Sequence, residues 1–244
     1  MSKLEELKRL EESVRETAGG LRPPFPFVGV NYDEEVGTVG AFVIGGEKKN
    51  GEWISPPTVV EKLEFVLLKE RGQYTYYNEH LNRLTVKSVI LPKFQMKQAV
   101  DLISGKPIEE LRREGLQLTY NSLLLILVRL GGGFAPAIFK VKGATLKSWI
   151  DFTKQNPPGL TNLIIATTRK EKKGTVRYFT LSLDVRDITE DEAGAILPLI
   201  HPTIDAFEEW VFHYNNRHVV QTEPQQTELQ QTEVFGGEED EIPF

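Results

Sequence analysis

Carboxylate side chains give this 244-residue chain its closest approach to a catalytic constellation. Asp184, Asp187 and the run Glu190–Glu192 lie close together in the sequence, and clustered carboxylates bind the metal ions of many nucleases. The same residues also suit the start of a helix, because Thr189 can cap backbone N–H groups and acids interact favourably with the helix dipole. We favour the helix start and keep a metal-dependent DNA-processing enzyme, a nuclease, as the alternative.

Other catalytic and metal-binding patterns are missing from the sequence. There is no cysteine, which excludes disulfides, thiol catalysis and Cys-based zinc or iron–sulfur sites. The four histidines show no zinc spacing with supporting acids, and no Gly-x-Ser-x-Gly motif is present. The segment Gly40–Gly46 has the spacing of a phosphate-binding loop but lacks the Lys-Ser/Thr that would contact phosphate and magnesium. We therefore expect a protein that is not an enzyme and needs no cofactor and no metal.

Positive charge is concentrated in one part of the chain, although the net charge is −6. Residues 140–186 contain ten lysines and arginines against three acids, whereas residues 221–244 contain seven acids and no base. Residues 1–220 are therefore close to neutral, with 28 acids and 29 bases. The basic stretch is where a polyanion is expected to bind.

Aromatic and basic residues interleave at several places in the sequence. Single-stranded DNA needs a positive groove for its backbone and aromatic faces for its bases, and this combination predicts such a groove. Trp149 with Phe152 also fits a buried core, and the segment Arg169–Lys173 also fits a solvated turn. The candidate DNA-binding residues are Lys69, Arg71, Tyr74, Tyr76, Lys140, Lys142, Lys147, Trp149, Arg169, Lys170, Lys172, Lys173, Arg177 and Tyr178.

The last 24 residues differ in composition from the rest. The triplet Gln-Thr-Glu occurs three times at five-residue intervals, in a stretch too polar to form a core, which predicts a flexible linker. The chain then finishes Glu-Glu-Asp-Glu-Ile-Pro-Phe. The terminal Phe244 carries an aromatic ring and an α-carboxylate, so a pocket with an apolar floor and a basic rim can bind both, while Pro243 limits the entropy lost.

This ending resembles the acidic tip of bacterial and phage single-stranded DNA-binding proteins, which typically finishes Asp-Asp-Asp-Ile-Pro-Phe after a Gln-, Gly- or Pro-rich linker. The resemblance implies a protein that coats and protects single-stranded DNA in replication, recombination and repair. The alternative is a solubilising acidic tail. The implied partner-binding residues, which recruit replication and repair proteins, are Glu238, Glu239, Asp240, Glu241, Ile242, Pro243 and Phe244.

The elements that must position the candidate residues are mostly strands. Short β-rich runs are predicted at 36–44, 58–69, 73–77 and 84–91, and longer ones at 116–130, 137–142, 162–168 and 175–185. Gly131–Gly133 forms a loop, and Arg169–Gly174 forms a basic hairpin. Helices are predicted at 94–114 with a break near Gly105, at 145–155, and at 189–215 with interruptions at Pro198 and Pro202.

These elements predict an α+β chain in three parts. They are an N-terminal helix at 1–20, a body at 21–220 built on a curled antiparallel sheet, and a flexible acidic tail at 221–244. Because the body is about twice the usual core of the resembled proteins, the resemblance implies a divergent phage-type protein with an OB-type β-barrel elaborated by helices. The amphipathic N-terminal helix suits packing on its own domain or a homo-oligomer contact.

The sequence also predicts where the protein works. The longest apolar run is too short to span a bilayer, and the acidic N-terminus does not suit a signal peptide. We therefore expect no membrane partner and a cytoplasmic location, in the nucleoid or in a phage replication complex of an infected cell.

Overall fold

The computed structural model describes residues 22–49, 52–78, 83–102 and 104–216. The predicted N-terminal helix and acidic tail lie outside these residues. The elements are β1 Phe27–Val30, β2 Phe42–Ile44, β3 Glu47–Lys49, β4 Glu52–Ser55, β5 Thr58–Val60, β6 Leu63–Asn78, β7 Arg83–Lys87, a 3-10 helix Lys93–Gln98, α1 Ile108–Arg113, β8 Thr119–Leu130, β9 Gly133–Lys142, α2 Gly143–Gln155, β10 Asn162–Lys173, β11 Val176–Asp187 and α3 Glu190–Asn216.

One nine-stranded sheet organises the described chain. Its order is β11-β10-β6-β8-β9-β1-β2-β5, with β7 also paired to β6, and β3 and β4 form a separate hairpin. All pairs in the sheet are antiparallel except β1 with β9. Thr168 on β10 donates a hydrogen bond of 2.6 Å to the Gly40 carbonyl, although three strands separate β10 from β1. The sheet is therefore curled into a half-barrel, and the predicted α+β class with a curled, mainly antiparallel sheet is confirmed.

Helix α2 fills the concave side of this curl. Trp149 on α2 packs against Phe65 of β6, with ring centroids 6.3 Å apart, and Phe65 in turn contacts Phe139 of β9. All three side chains are fully buried, and such burial stabilises a fold by about 2–3 kcal/mol for each large side chain. The predicted helix over 145–155 is confirmed and begins two residues earlier.

Helix α3 covers the convex side of the same sheet. Phe207 and Trp210 pack on Leu123, Leu125 and Ile138, which point away from α2 because side chains alternate along β8 and β9. As both faces are covered, residues 121–128 of β8 are buried without interruption.

The prolines do not interrupt α3, which corrects the prediction of a broken helix. Pro198 and Pro202 both lie inside a continuous helix of 27 residues. They are four residues apart and exposed, so both lie on the solvent side. Carbonyls that lose their helical N–H partners there can bond to water, which lowers the cost of each proline.

Strand β6 is also longer than predicted, because residues 63–78 form one strand where the sequence indicated a break at 70–72. Gly72 serves packing rather than a turn. A Cβ at this position would lie 2.6 Å from Met96 Sδ and 2.7 Å from the Tyr120 hydroxyl. Only a residue without a side chain lets these two groups approach the strand.

Strand β2 is shorter than predicted and covers only the end of the 36–44 run. The residues before it form turns, held by Asn31, whose Nδ2 donates to the carbonyls of Gly37 and Thr38 at 3.1 Å each. Gly40, with φ of +95°, completes this connection. The β1–β2 connection thus reaches over the concave side of the sheet.

Candidate nucleic-acid interface

A cleft of about 760 Å³ opens where β1 and β9 separate. The two strands pair at only two positions, Phe27 with Ile138 and Val28 with Phe139. Beyond them β1 passes into the connection held by Asn31, and β9 turns into α2 at Gly143, whose φ is +53°. The parallel pair therefore ends early, and the residues that follow on both strands line the cleft.

Three lysines supply the positive charge of this cleft: Lys87 on β7 and Lys140 and Lys142 on β9. Alternation along β9 puts Lys140 and Lys142 on the same side of the strand. Burial lowers the pKa of Lys140 to about 8, with the charges of Lys142 and Lys87 acting in the same direction. Within the described residues no carboxylate lies at ion-pair distance from Lys140 or Lys142. An anion bound here would relieve both the desolvation and the mutual repulsion of these cations.

Aromatic rings lie beside the lysines. Tyr32 is 61% exposed and meets Phe179 edge to face, with ring centroids 5.4 Å apart. Phe27 is 41% exposed at the start of β1, and Lys87 Nζ lies 5.3 Å from the centroid of the buried Tyr214 ring. Exposed rings and cations that line one cleft are the combination that bases and phosphates of a single strand require. The aromatic residues of the lining are Phe27, Tyr32, Tyr178, Phe179, Trp210 and Tyr214.

Gly29 keeps the middle of the cleft open. It lies on β1 between Phe27 and the connection that carries Tyr32, and no atom lies within 4 Å of the position that a Cβ would occupy. A side chain here would project into empty space that a ligand backbone can approach.

A basic arm extends from the same region. Strand β10 pairs with β6 only at Ile164–Ala166, whereas its pairing with β11 runs on to Lys173. The outer part of this hairpin is thus a two-stranded ribbon. Tyr178 and Phe179, which pair with Glu171 and Lys170 towards its outer end, line the cleft. The arm carries one acid, Glu171, and the five predicted basic residues Arg169, Lys170, Lys172, Lys173 and Arg177.

Other candidate residues lie away from the cleft. Arg71 donates two hydrogen bonds, of 2.8 and 2.9 Å, to the carboxylate of Glu208 on α3, and Lys69 pairs with the same carboxylate at 3.0 Å. These two cations already have an acidic partner, which removes the reason to place a phosphate on them. Tyr74 and Tyr76 pack in a small apolar cluster around Met96.

Two candidates on α2 are also outside the lining of the cleft. Lys147 is exposed on the helix surface. Trp149 is 1% exposed in the contact with Phe65, so its ring offers no free face to a base. The core position that we kept as the other interpretation of Trp149 is the one observed. The acidic tip, residues 238–244, lies outside the described part of the chain.

The carboxylate cluster near residue 190 has a structural role at Glu192. Thr189 and Glu192 form a reciprocal cap at the start of α3, because each backbone N–H donates to the side chain of the other. Glu192 also accepts hydrogen bonds from Arg186 and Arg129. The bonds from Arg186 and from the Thr189 backbone lower the pKa of Glu192 to about 2. The predicted helix start is confirmed, and in the described chain no cluster of three or more His, Asp or Glu residues could hold a metal ion.

Sequence reasoning missed the residues that reach the cleft from distant parts of the chain. Phe27 comes from β1, Tyr32 from the connection after it, Lys87 from β7, and Trp210 and Tyr214 from the end of α3. The only local signal is the alternation of large residues with Gly29 after the proline-rich connector.

Comparison of the chain with protein-family models, with curated proteins and with solved structures finds no match. Within the described residues no helix combines the length and the apolarity that crossing a membrane requires.

Proposed function

We propose that this chain is a single-stranded DNA-binding protein that holds the strand in the cleft between β1 and β9. The observation that carries the proposal is that half-buried Lys140, which has no carboxylate partner among the described residues, and the exposed ring of Tyr32 line the same open cleft. Phosphates bind to lysines whatever the base, and any base can stack on a tyrosine or phenylalanine ring. Binding is therefore strong for single strands and nearly independent of sequence.

The proposal includes the role in replication, recombination and repair that the acidic tip implies. The body coats and protects single-stranded DNA, and residues 238–244 recruit partner proteins in the cytoplasm, in the nucleoid or at a phage replication complex. No chemical step and no cofactor are part of this function. We also propose that the curled sheet is an OB-type barrel elaborated with helices, since strand faces of OB folds bind oligonucleotides in this manner.

Titration with oligothymidylate and with duplex DNA of equal length tests the proposal. Trp210 lies in the lining of the cleft, so bound bases should change its fluorescence, and the anisotropy of labelled DNA gives an independent affinity. We expect preference for the single strand and weaker binding at the higher of two salt concentrations. Equal affinity for duplex, or no binding at low salt, would refute the proposal.

Incubation of the labelled strand with magnesium or manganese separates the proposed function from the nuclease alternative. The single-stranded DNA-binding protein leaves the strand at full length. Shortening that depends on the metal and on Asp184 or Asp187 would favour the nuclease.

A further inference from the structure

We infer that a bound single strand leaves the cleft along one face of the β10–β11 arm, the face that carries Lys170, Lys172 and Arg177. This inference rests on the proposed function and adds the path of the DNA. It divides the basic residues of the arm, which the sequence could not distinguish, into a set that contacts DNA and a set that does not.

The register of the hairpin assigns the side chains to two faces. Ala166 is part of the core under the concave side, and Thr168 donates to Gly40 on that side. Because side chains alternate along a strand, Lys170 and Lys172 continue the concave face. Their cross-strand partners, Phe179 and Arg177, share it. The convex face carries Arg169, Glu171, Lys173, Val176 and Tyr178.

Charge distinguishes these two faces. The concave face has three cations and no acid, and its lysines lie two residues apart, about 7 Å along the strand. On the convex face Glu171 lies between Arg169 and Lys173, so it screens both cations. Cations without a neighbouring carboxylate release the most free energy when they neutralise phosphates.

The concave face is also continuous with the aromatic part of the cleft. Lys170 lies directly across the hairpin from Phe179, which contacts the exposed ring of Tyr32. Tyr178 and Phe179 both line the cleft at the free edge of β11, so the lining alone does not choose a face. Lys140 and Lys142 lie on the same side of β9 as Ile138, the side that α3 covers, so they do not choose the concave face either. The charge of the arm and the Tyr32 contact both favour the concave face.

A matched pair of double variants tests this path. K170A/K172A removes two charges from the concave face, and R169A/K173A removes two from the convex face of the same arm. We expect the first to weaken binding of a long oligothymidylate about tenfold and to lower the salt slope by about 1.4, the release expected for two phosphate contacts. The second should change the affinity less than about twofold.

Oligonucleotide length adds a second readout. With short oligothymidylates that fill only the cleft, K170A/K172A should lose less affinity than with long ones, because Lys170 lies opposite the cleft-lining Phe179 and Lys172 lies further out. The loss should grow as the strand lengthens onto the arm. Equal losses in both double variants, or a larger loss in R169A/K173A, would overturn the inference. If the wild type itself fails to prefer single strands, the proposed function fails instead.

Cross-linking reports on the path without depending on affinity. The chain contains no cysteine, so Lys172→Cys and Lys173→Cys each introduce a single thiol on opposite faces of adjacent residues. With a strand carrying a thiol-reactive tether, the thiol at position 172 should react at least about fivefold faster than that at position 173. Equal rates with folded protein and bound DNA would contradict the inference.

Discussion

Two groups of cations in this molecule differ in whether a carboxylate accompanies them. Lys69 and Arg71 face α3 and share Glu208, and Arg186 is fixed by Glu192. Lys140 and Lys142 line the cleft, where no described carboxylate pairs with them. The comparison teaches that a basic residue becomes a candidate DNA contact through the absence of a partner, which local charge density does not reveal.

The pKa shifts follow the same division. Burial of Glu208 acts to raise its pKa, but hydrogen bonds from Arg71 and Lys69 outweigh it and the pKa is lowered. Burial and like charges lower the pKa of Lys140, since no partner offsets them. The first group is stabilised by its charges, whereas the second pays a cost that bound phosphate would relieve.

Replacement of Glu192, the acid paired with Arg186, should have the largest effect of the changes proposed here. The effect should be on the stability of the fold and not on DNA binding. Glu192→Ala leaves Arg186 without its carboxylate partner and removes the half of the reciprocal cap that the Glu192 side chain provides. Because Glu192 is buried while both of its arginine partners are partly exposed, we expect the free energy of unfolding in urea at neutral pH to fall by about 2 kcal/mol, with DNA affinity unchanged below the unfolding transition. A loss of less than about 0.5 kcal/mol would show that the pair contributes little.

The sign of the pH dependence follows from the lowered pKa of Glu192. Its folded-state value of about 2 lies below its ordinary value of 4.5, so the stabilisation is complete above pH 4.5 and is lost as the pH falls towards 2. Glu192→Gln cannot ionise and should lack this part of the acid dependence. If the free energy of unfolding fell in parallel for the wild type and for Glu192→Gln between pH 5 and pH 2, the acid dependence would not come from Glu192.

Removal of two unpaired cations should have the largest effect on binding. K140A/K142A should weaken single-stranded DNA binding about 30-fold at moderate salt and reduce the salt slope by about 1.4. The control K69A/R71A removes the same charge and should alter affinity less than about twofold, while lowering stability by about 1 kcal/mol. Similar affinity losses in both variants would abolish the distinction between the two groups.

Local patterns predicted the elements better than the site. Gly131–Gly133 marks a hairpin and Thr189 marks a helix start, because turns and caps depend on neighbouring residues. The charge of Lys140 and Lys142 was visible in the same way. The ion pair of Arg71 could not be predicted from local patterns, because its partner Glu208 lies 137 residues further along the chain.

The cleft itself had only one weak signal in the sequence, the alternation of large residues with Gly29 after the proline-rich connector. It exists because β1 pairs in parallel with β9 for two residues and then separates, which brings Tyr32 to a lysine more than a hundred residues away. The continuity of β6 through Gly72 and of α3 through its prolines was equally non-local. In β6, Gly72 is required because Met96 and Tyr120 pack against the strand at this position. In α3, the two prolines are tolerated because they are exposed to solvent.

A smaller effect should appear when the charge on Lys140 is titrated. Lys87, Lys142 and the phenols of Tyr32 and Tyr214 surround the same cleft. The pKa of Lys140, about 8, means that the free protein loses this charge as the pH rises through 8, so affinity should fall several-fold between pH 7 and pH 9.5. Lys140→Arg keeps its charge and should show a flatter profile. Identical profiles would assign the pH effect to another group.

The smallest expected effect on DNA affinity comes from the acidic tail, whose carboxylates can pair with Lys140 and Lys142 in place of DNA phosphates. Helix α3 places Trp210 and Tyr214 at the cleft and ends at Asn216, five residues before the acidic tail begins in the sequence. Seven acids at millimolar effective concentration should compete with DNA at low salt. Deleting residues 221–244 should raise affinity about threefold, and the gain should vanish as salt screens the acids.

Deleting only Phe244 separates this competition from partner binding. The shorter chain keeps all seven side-chain acids and gains a new terminal carboxylate on Pro243, so its DNA affinity should equal that of the wild type at every salt concentration. It loses the aromatic ring that an apolar pocket would bind, so recruitment of a replication or repair protein should fall sharply in a pull-down with the tip-binding partner. Full partner binding without Phe244 would mean that the tail acts through its acids alone. The tail would then be a solubilising and competing segment, and the tip would have no docking role.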